Sequence, residues 1–173
     1  MLSLCILVLK NKLHLDALIE SKKLDDGSII TDKDYAALAL GQFNYGVTVK
    51  EITAAYSAFA NQGVYSNTRS YYEVIGPEGE VVLENKYQGE AIISEETASL
   101  MTLMMQNVVG YGTAKDIKLK KKVDCAGKTG STQNNYDKWF VGYTPYYLGG
   151  VWYGYDYPKS IVDPGGNRSI KIW

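Results

Sequence analysis

Three short segments near the end of the chain constrain the fold more than any other feature of the sequence. They cover residues 123–131, 139–143 and 151–155, and turn-forming residues at 134–135 and 144–145 separate them. Parallel strands need a crossover of a dozen or more residues, whereas antiparallel strands follow one another through short turns. The spacing therefore predicts three antiparallel strands joined by hairpin connections.

The part of the chain that precedes these strands has mainly helical patterns. The segment T-V-K-E at 48–51 fits a capping box, and apolar residues at helical spacing follow it to a stop at Gly63. A longer helix is predicted to begin at 94–96, where two acids suit the helix dipole, and to end at 110–112. Its apolar face is predicted to consist of Leu100, Met101, Met104, Met105 and Val108.

Two weaker patterns complete the assignment. Residues 31–34 are predicted to cap a short helix that ends at Gly41, and residues 71–75 and 80–84 are predicted strands around a turn at 76–79. Helices followed by a run of hairpins indicate the α+β class rather than alternating strands and helices. We therefore expect an antiparallel sheet packed against helices.

Both ends of the chain are apolar. Residues 1–9 are too few to span a bilayer, which needs about twenty residues, and the lysines at 10 and 12 follow the apolar run, whereas in a secretory signal they would precede it. We expect the end of a buried helix whose polar face begins at Lys10, and a packed element at 169–173. Such ends favour a chain that covers only part of one domain.

The residue inventory excludes several kinds of chemistry. One histidine, His14, and two cysteines, Cys5 and Cys125, cannot supply the three or four ligands of a zinc site. Both cysteines are expected to be buried. Eighteen basic against nineteen acidic residues give a net charge of −1, without the basic excess of a nucleic-acid-binding protein. We expect no metal, no cofactor and no nucleic-acid partner, so chemistry would depend on Ser, Thr, Lys or carboxylates.

The segment C-A-G-K-T-G-S at 125–131 is the strongest candidate site. Gly127-Lys128-Thr129 could be the end of a phosphate-binding loop, but that loop needs a glycine where the chain has Lys122, and a helix after it. The alternative is a K-T-G motif on a strand. Three residues are a weak signal alone, so the surrounding sequence has to decide.

The surrounding segments resemble the transpeptidase domain of class A, bifunctional penicillin-binding proteins. The resemblance covers roughly residues 10–173 and is carried by AALALGQFNYGVTVKEITAAYSAFANQGVYS, SEETASLMTLMMQNVVGYGTAK and VDCAGKTGSTQNNYDKWFVGYTPYYLGGVWYGYD. It implies an incomplete α+β fold of the penicillin-binding and serine β-lactamase type. It also implies a peptidoglycan D,D-transpeptidase, which transfers an acyl group from D-Ala-D-Ala stem peptides through a serine and is inhibited by β-lactams.

The resemblance further implies roles for the K-T-G segment. Lys128 would direct a positive charge toward the substrate carboxylate, and the hydroxyls of Thr129 and Ser131 would bind that carboxylate. Gly130 would let an extended peptide lie against the strand. The backbone N–H of Ser131 would be one of two donors in the oxyanion hole.

The other two motifs of the family, S-x-x-K and S-x-N, do not occur in the sequence. No serine is followed by lysine three positions later or by asparagine two positions later. Residues 65–67 match a Y-x-N variant, but they follow a surface turn in the family. We expect the nucleophile and its base to belong to the upstream half of the same domain, and this chain alone to be inactive. The alternative is a non-catalytic structural or interaction module with the same half of the fold.

Three smaller expectations concern location, a basic run and one hairpin. The resemblance implies the outer face of the bacterial cytoplasmic membrane, although the chain has no signal or anchor pattern. The lysines at 115, 118 and 120–122 are expected to form a solvated face or a protected strand edge, with attraction to anionic cell-wall polymer as the alternative. Trp139 and Phe140 are predicted core residues, and Asp137 is a predicted turn residue that binds the hairpin backbone.

Overall fold

The computed structural model describes residues 2–162 and 166–173, with side chains from Cys5 onward. The α-helices in this part are α1 (Leu2–Asn11), α2 (Tyr35–Leu40), α3 (Val49–Ala60), α4 (Glu95–Gly110) and α5 (Arg168–Ile172). The strands are β1 (Lys22–Lys23), β2 (Ile29–Ile30), β3 (Val64–Ser66), β4 (Glu73–Ile75), β5 (Val81–Glu84), β6 (Gly89–Ala91), β7 (Ala126–Ser131), β8 (Asp137–Tyr143) and β9 (Leu148–Gly154). The apolar side chains of residues 1–4, which were predicted to belong to a buried helix, lie outside the described part.

The predicted run of three antiparallel strands is confirmed, and so is the α+β class. The strands form a sheet in the order β7-β8-β9, in which Thr129 lies opposite Phe140 and Trp139 lies opposite Trp152. One face packs against α3 and α4, because Ala126 and Tyr143 form a cluster with Met105 of α4. The other face carries Phe140, which packs edge-on against Trp173 after α5 at a ring distance of 5.1 Å.

The predicted starts of α2, α3 and α4 are confirmed by their caps, and so is the end of α2, whereas α3 ends at Ala60, before the predicted stop at Gly63. At the start of α3 the Thr48 hydroxyl accepts from the Glu51 N–H, and the Glu51 carboxylate accepts from the Thr48 N–H at 2.7 Å. Asp34 caps α2, which ends at Gly41 with a φ of 68°. Ser94 caps α4 by accepting from the Thr97 N–H. These local signals position the two helices that cover the sheet.

The apolar face predicted for α4 is partly wrong. Leu100 and Met104 are 60% and 56% exposed, whereas Met105 is buried together with Ala98 and Val109, which the prediction left out. The buried residues lie seven and four positions apart, and so they form a narrow stripe along one side of the helix. Met101 and Val108 are partly buried beside this stripe, as predicted, whereas Leu100, Leu103 and Met104 are exposed.

Two expectations about the first helix are also corrected. Cys125 is buried but Cys5 is exposed, so the prediction that both cysteines are buried is wrong. The segment is helical as predicted, and Ile6 is fully buried, but Leu7 and Val8 are 42% and 40% exposed. Only one side of α1 packs against the described residues, since a helix on the surface of a core buries a stripe and not its whole circumference.

A second hairpin, formed by β4 and β5, projects from the molecule. It contains both predicted strands around the predicted turn, with Val74 opposite Leu83. Every residue of both strands is exposed, including Ile75 and Val82, each at 57%. The hairpin therefore forms without a layer that packs on it.

Candidate functional site

The K-T-G motif lies on β7, an outer strand of the three-stranded sheet. Strand β8 pairs with one edge of β7, and among the described residues no strand pairs with the other. The Thr132 N–H donates to the Asp137 carbonyl at 3.3 Å. Backbone groups alternate in direction along an antiparallel strand, so the N–H and C=O groups of Thr129 and Ser131 point to the open edge.

The four predicted site residues divide between the two faces of the strand. Lys128 is exposed and lies on the same face as Ala126, and its Nζ donates to the Thr129 carbonyl at 2.9 Å. Thr129 and Ser131 carry their hydroxyls on the opposite face. The motif thus presents a cation on one side and two hydroxyls on the other, with backbone groups between them.

The two hydroxyls have neighbours that sequence reasoning missed. The Thr129 Oγ1 lies 2.7 Å from the Thr113 Oγ1. Lys138 is directly opposite Ser131, and its Nζ donates to the Ser131 Oγ at 3.3 Å and to the Asn135 Oδ1 at 2.6 Å. The only signal in the sequence for Lys138 was the hairpin register, which would have placed it beside Ser131 once the turn was known.

Two residues, one in α5 and one just before it, hold the backbone of β8 behind the site. The Ser169 hydroxyl donates to the Lys138 carbonyl at 2.6 Å, and the Asn167 side chain donates to the Trp139 carbonyl at 3.1 Å. Ser169 is fully buried, as is Phe140. Strand β8 is therefore fixed on the face that carries the two hydroxyls of β7.

Asp137 does not have the role predicted for it. It is the first residue of β8, and its carboxylate accepts from the Trp152 Nε1 at 2.8 Å and from the Thr132 hydroxyl at 2.9 Å. The predicted contact of the carboxylate with the hairpin backbone is wrong, because both of its partners are side chains. Phe140 is a core residue as predicted, whereas Trp139 is only half-buried and lies 6.3 Å from Trp152.

Close packing requires one glycine of the site strand and favours a second. A Cβ on Gly127 would lie 2.5 Å from the Phe140 ring and 2.8 Å from the Val141 carbonyl oxygen. A Cβ on Gly130 would lie 3.1 Å from the Trp139 Cβ, which is tight but not prohibitive. Gly127 thus lets β8 approach β7 with Phe140 in place, and Gly130 leaves room beside Trp139.

One lysine of the basic run has a definite partner. The Lys120 Nζ donates to the carbonyls of Val109 and Gly110, at 3.0 and 3.3 Å, in the last turn of α4. A cation at a helix C-terminus also interacts favourably with the helix dipole. The other lysines of the run, at 115, 118, 121 and 122, are exposed.

The open edge of β7 is a surface and not an enclosed pocket. A groove of about 450 Å³ lies between α3 and α4 near the opposite end of β7, and its lining includes Gln62, Thr102 and Asp124. Within residues 2–162 and 166–173 no cluster of three potential metal ligands occurs. Over the same ranges no helix has the length and apolar character needed to cross a bilayer.

The Y-x-N-like segment is not part of this surface. Tyr65 and Ser66 belong to β3, which pairs with β6 in a separate two-stranded sheet, and Tyr65 is buried. The Ser66 N–H donates to the Ser57 hydroxyl at 2.8 Å, which ties β3 to α3. The structure gives this segment a packing role.

Comparison with known proteins gives a consistent result. The family model for the penicillin binding protein transpeptidase domain matches residues 8–156. Penicillin-binding protein 1A of Clostridium novyi is 41% identical over 128 residues, which are 73% of this chain and 15% of that protein. The chain therefore spans about a seventh of the length of this relative.

Solved structures show the same fold. The penicillin-binding protein PonA1 from Mycobacterium tuberculosis matches with a TM-score of 0.63 and 29% identity, over 78% of this chain and 36% of that one. Penicillin-binding protein A from M. tuberculosis, solved as an imipenem acyl-enzyme complex, matches with a TM-score of 0.63 over 93% of this chain and 38% of that one. At 17% identity the second match shows the fold alone.

Proposed function

Because the chain belongs to the family of penicillin-binding protein transpeptidase domains, we propose that it supplies the K-T-G wall of a peptidoglycan D,D-transpeptidase site. In this reaction a serine oxygen attacks the carbonyl between two terminal D-alanines, the C–N bond breaks, and D-alanine leaves with a proton. An amine of a neighbouring strand then attacks the ester, forms the cross-link and releases the serine. The serine and its base belong to another segment of the domain, since no S-x-x-K motif occurs here.

The open edge of β7 is the observation that carries this proposal. The N–H and C=O groups of Ser131 and Thr129 that point to this edge can pair with an extended peptide as an added strand. In such a complex the Ser131 N–H donates to the developing oxyanion of the scissile carbonyl, and the hydroxyls of Thr129 and Ser131 bind the terminal carboxylate. Lys128 faces the other side of the strand and supplies positive charge toward the serine motifs.

β-Lactams are expected to bind at the same edge, because they resemble the D-Ala-D-Ala end of the stem peptide. A structural relative was solved as an acyl-enzyme with imipenem, which supports this extension. The working location of such a domain is the outer face of the bacterial cytoplasmic membrane, where its peptidoglycan substrate lies. The remaining partner is the upstream half of the same domain.

A fluorescent penicillin followed by denaturing electrophoresis tests the proposal. The 173-residue chain alone should form no covalent adduct, because it lacks the nucleophile, and a stable labelled band would show that a nucleophile is present. Co-expression with the upstream half of the Clostridium novyi transpeptidase domain should restore labelling of that half. The Thr129→Val/Ser131→Ala variant should then lower the acylation rate by about 100-fold, since each hydroxyl lost from an anion contact costs on the order of tenfold.

A matched control uses Thr68→Val, which removes an exposed hydroxyl far from β7 in the sequence. This variant should acylate at the wild-type rate. The alternative function is a non-catalytic module of the same fold. It predicts equal labelling with the wild type, the Thr129→Val/Ser131→Ala variant and the Thr68→Val variant. Equal rates would reject the proposed role of the K-T-G edge.

A further inference from the structure

Lys138 carries a charge that no acid neutralises in the described part of the chain. Its Nζ bonds to two neutral oxygens, the Ser131 Oγ and the Asn135 Oδ1. None of the ion pairs within residues 2–162 and 166–173 includes Lys138. The adjacent Asp137 is occupied with Trp152 and Thr132. An ammonium held by neutral acceptors keeps its full attraction for an anion.

Lys138 lies in a row of polar side chains that crosses the sheet. Tyr153 of β9 lies opposite Lys138, on the side away from Ser131. Ser131, Lys138 and Tyr153 therefore form one row. The whole row lies on the face that carries the Thr129 hydroxyl.

We propose that Lys138, together with the hydroxyls of Thr129 and Ser131, binds the free α-carboxylate of a peptide on the open edge of β7. This inference rests on the proposed function and identifies the cation of the carboxylate subsite. The Lys128 Nζ is bonded to the Thr129 carbonyl, whereas the Lys138 Nζ is bonded to the Ser131 hydroxyl, on the face that carries both hydroxyls. Lys138 acts as a binding and positioning residue.

The hydrogen-bond pattern explains why the cation and the hydroxyl act together. A serine hydroxyl has one proton to donate and two lone pairs that accept. Since the Ser131 oxygen accepts from Lys138, its own proton remains available for an incoming carboxylate. The carboxylate would then receive a hydroxyl donor and a nearby full positive charge, which is a stronger combination than either alone.

The position of the ammonium is set in advance. The Ser169 hydroxyl holds the Lys138 carbonyl, and the Asn135 carbonyl accepts from the Ile161 N–H at 2.9 Å. Asn135 has a φ of 54°, in the left-handed region that asparagine tolerates, and its side chain accepts from Lys138. Two anchored residues therefore fix both ends of the lysine side chain, which lowers the ordering cost of binding.

The test compares a peptide acid with its neutral amide. The ¹⁵N-labelled 173-residue chain is titrated with N-acetyl-D-Ala-D-Ala and with its C-terminal amide, and the cross-peaks of the Thr129 and Ser131 amides are followed. The wild type should bind the acid about tenfold more tightly than the amide, as expected for one charge-assisted contact. Lys138→Met should lower the affinity for the acid to that of the amide and leave the amide unchanged, and Lys138→Arg should keep most of the preference.

Two further variants make the test specific. Lys121→Met removes an exposed lysine from the basic run and should keep the wild-type preference, which controls for net charge. Asn135→Gly keeps the left-handed backbone but removes the partner of the ammonium. It should lower the preference for the acid over the amide by about threefold. This variant also tests the inference if Lys138→Met does not fold. An undiminished preference for the acid in Lys138→Met would overturn the inference and leave the proposed function intact.

A titration with acetate distinguishes the proposed function from the Lys138 carboxylate site if the wild type binds neither peptide. If the wild type binds neither peptide but acetate shifts the Ser131 amide in a manner that depends on Lys138, the proposed function fails and the anion site stands. If neither acetate nor the peptides shift that amide, both are rejected.

Discussion

Two hairpins in this chain have similar local patterns and different surroundings. In β4–β5 every strand residue is exposed, and the apolar side chains of Val74, Ile75 and Leu83 are between 41% and 57% exposed. In β7–β8 Phe140 is fully buried and Val141 is 4% exposed. A turn and two strand-like runs suffice to form a hairpin, but helices on both faces are needed to hold its side chains in place.

This difference explains which of the two can serve as a binding surface. The edge of β7 is backed by β8, which is itself fixed by α5 on one face and by the Met105 cluster on the other. The edges of β4 and β5 have no such support. Groups that must recognise a ligand need supporting contacts that keep them in position, and only the β7–β8 hairpin has them.

Truncation of one large side chain in each hairpin should show the difference in packing most clearly. Phe140→Ala should lower the free energy of unfolding by about 4 kcal/mol, the usual cost of removing a buried phenylalanine. Leu83→Ala, at a position that is 53% exposed, should cost no more than about 1 kcal/mol. Urea denaturation measures both values. Equal losses would mean that β4–β5 is packed in solution as firmly as β7–β8.

The burial of a tyrosine in the helix that covers the site hairpin should make the chain less stable at alkaline pH. Burial, with a smaller effect of Tyr143, raises the pKa of Tyr56 on α3 to about 12, above the value of about 10 for an unfolded tyrosine. The unfolded state therefore loses its proton first, so stability falls as pH rises from about 10 to about 12, by roughly 2 kcal/mol. Denaturation at several pH values checks this slope, and Tyr56→Phe should reduce it, because burial also raises the pKa of Tyr65 and Tyr143. A slope of unchanged size in Tyr56→Phe would assign it to the other groups.

The smallest change in the free energy of unfolding is expected for a polar substitution on the exposed hairpin, and the same substitution on the buried hairpin should cost more. Val82→Thr places a hydroxyl on the exposed β5 strand and should change the free energy of unfolding by less than about 0.5 kcal/mol. The same change at the buried position Val141 should cost about 1–2 kcal/mol, because the hydroxyl has to give up water. Thermal melts of the two variants are sufficient. A large effect at Val82 would indicate that another surface covers this strand.

Local patterns predicted the elements well. The capping box of α3, the cap of α2 within residues 31–34 and the short connections of the β7–β9 sheet depend on residues close in sequence, and the structure confirms each of them. The resemblance to the transpeptidase family led to the strand that carries the candidate site. The limits of these elements follow from interactions that short segments make by themselves.

Features that depend on distant contacts could not be predicted. The burial of Met105 and not Met104 depends on how much of α4 the sheet can cover. The contact of Asp137 with Trp152 and that of Lys138 with Ser131 require the register of two hairpins. The bond from Lys120 to the end of α4 spans a loop with no periodic signal. Each of these is a side-chain contact between elements, and it depends on packing that the periodicity does not encode.

The hydrogen bonds from α5 to β8 also determine the order in which the molecule is completed during synthesis. Asn167 and Ser169 follow the residues whose carbonyls they bind by 28 and 31 positions. A hairpin forms within microseconds, whereas a ribosome needs roughly one to three seconds for the residues between β9 and Ser169. We expect the nascent sheet to pair first and to leave Phe140 covered on one side only, by Val109, Ala114 and Ile117, until α5 arrives. The step that ends this vulnerable interval is the docking of a five-residue helix.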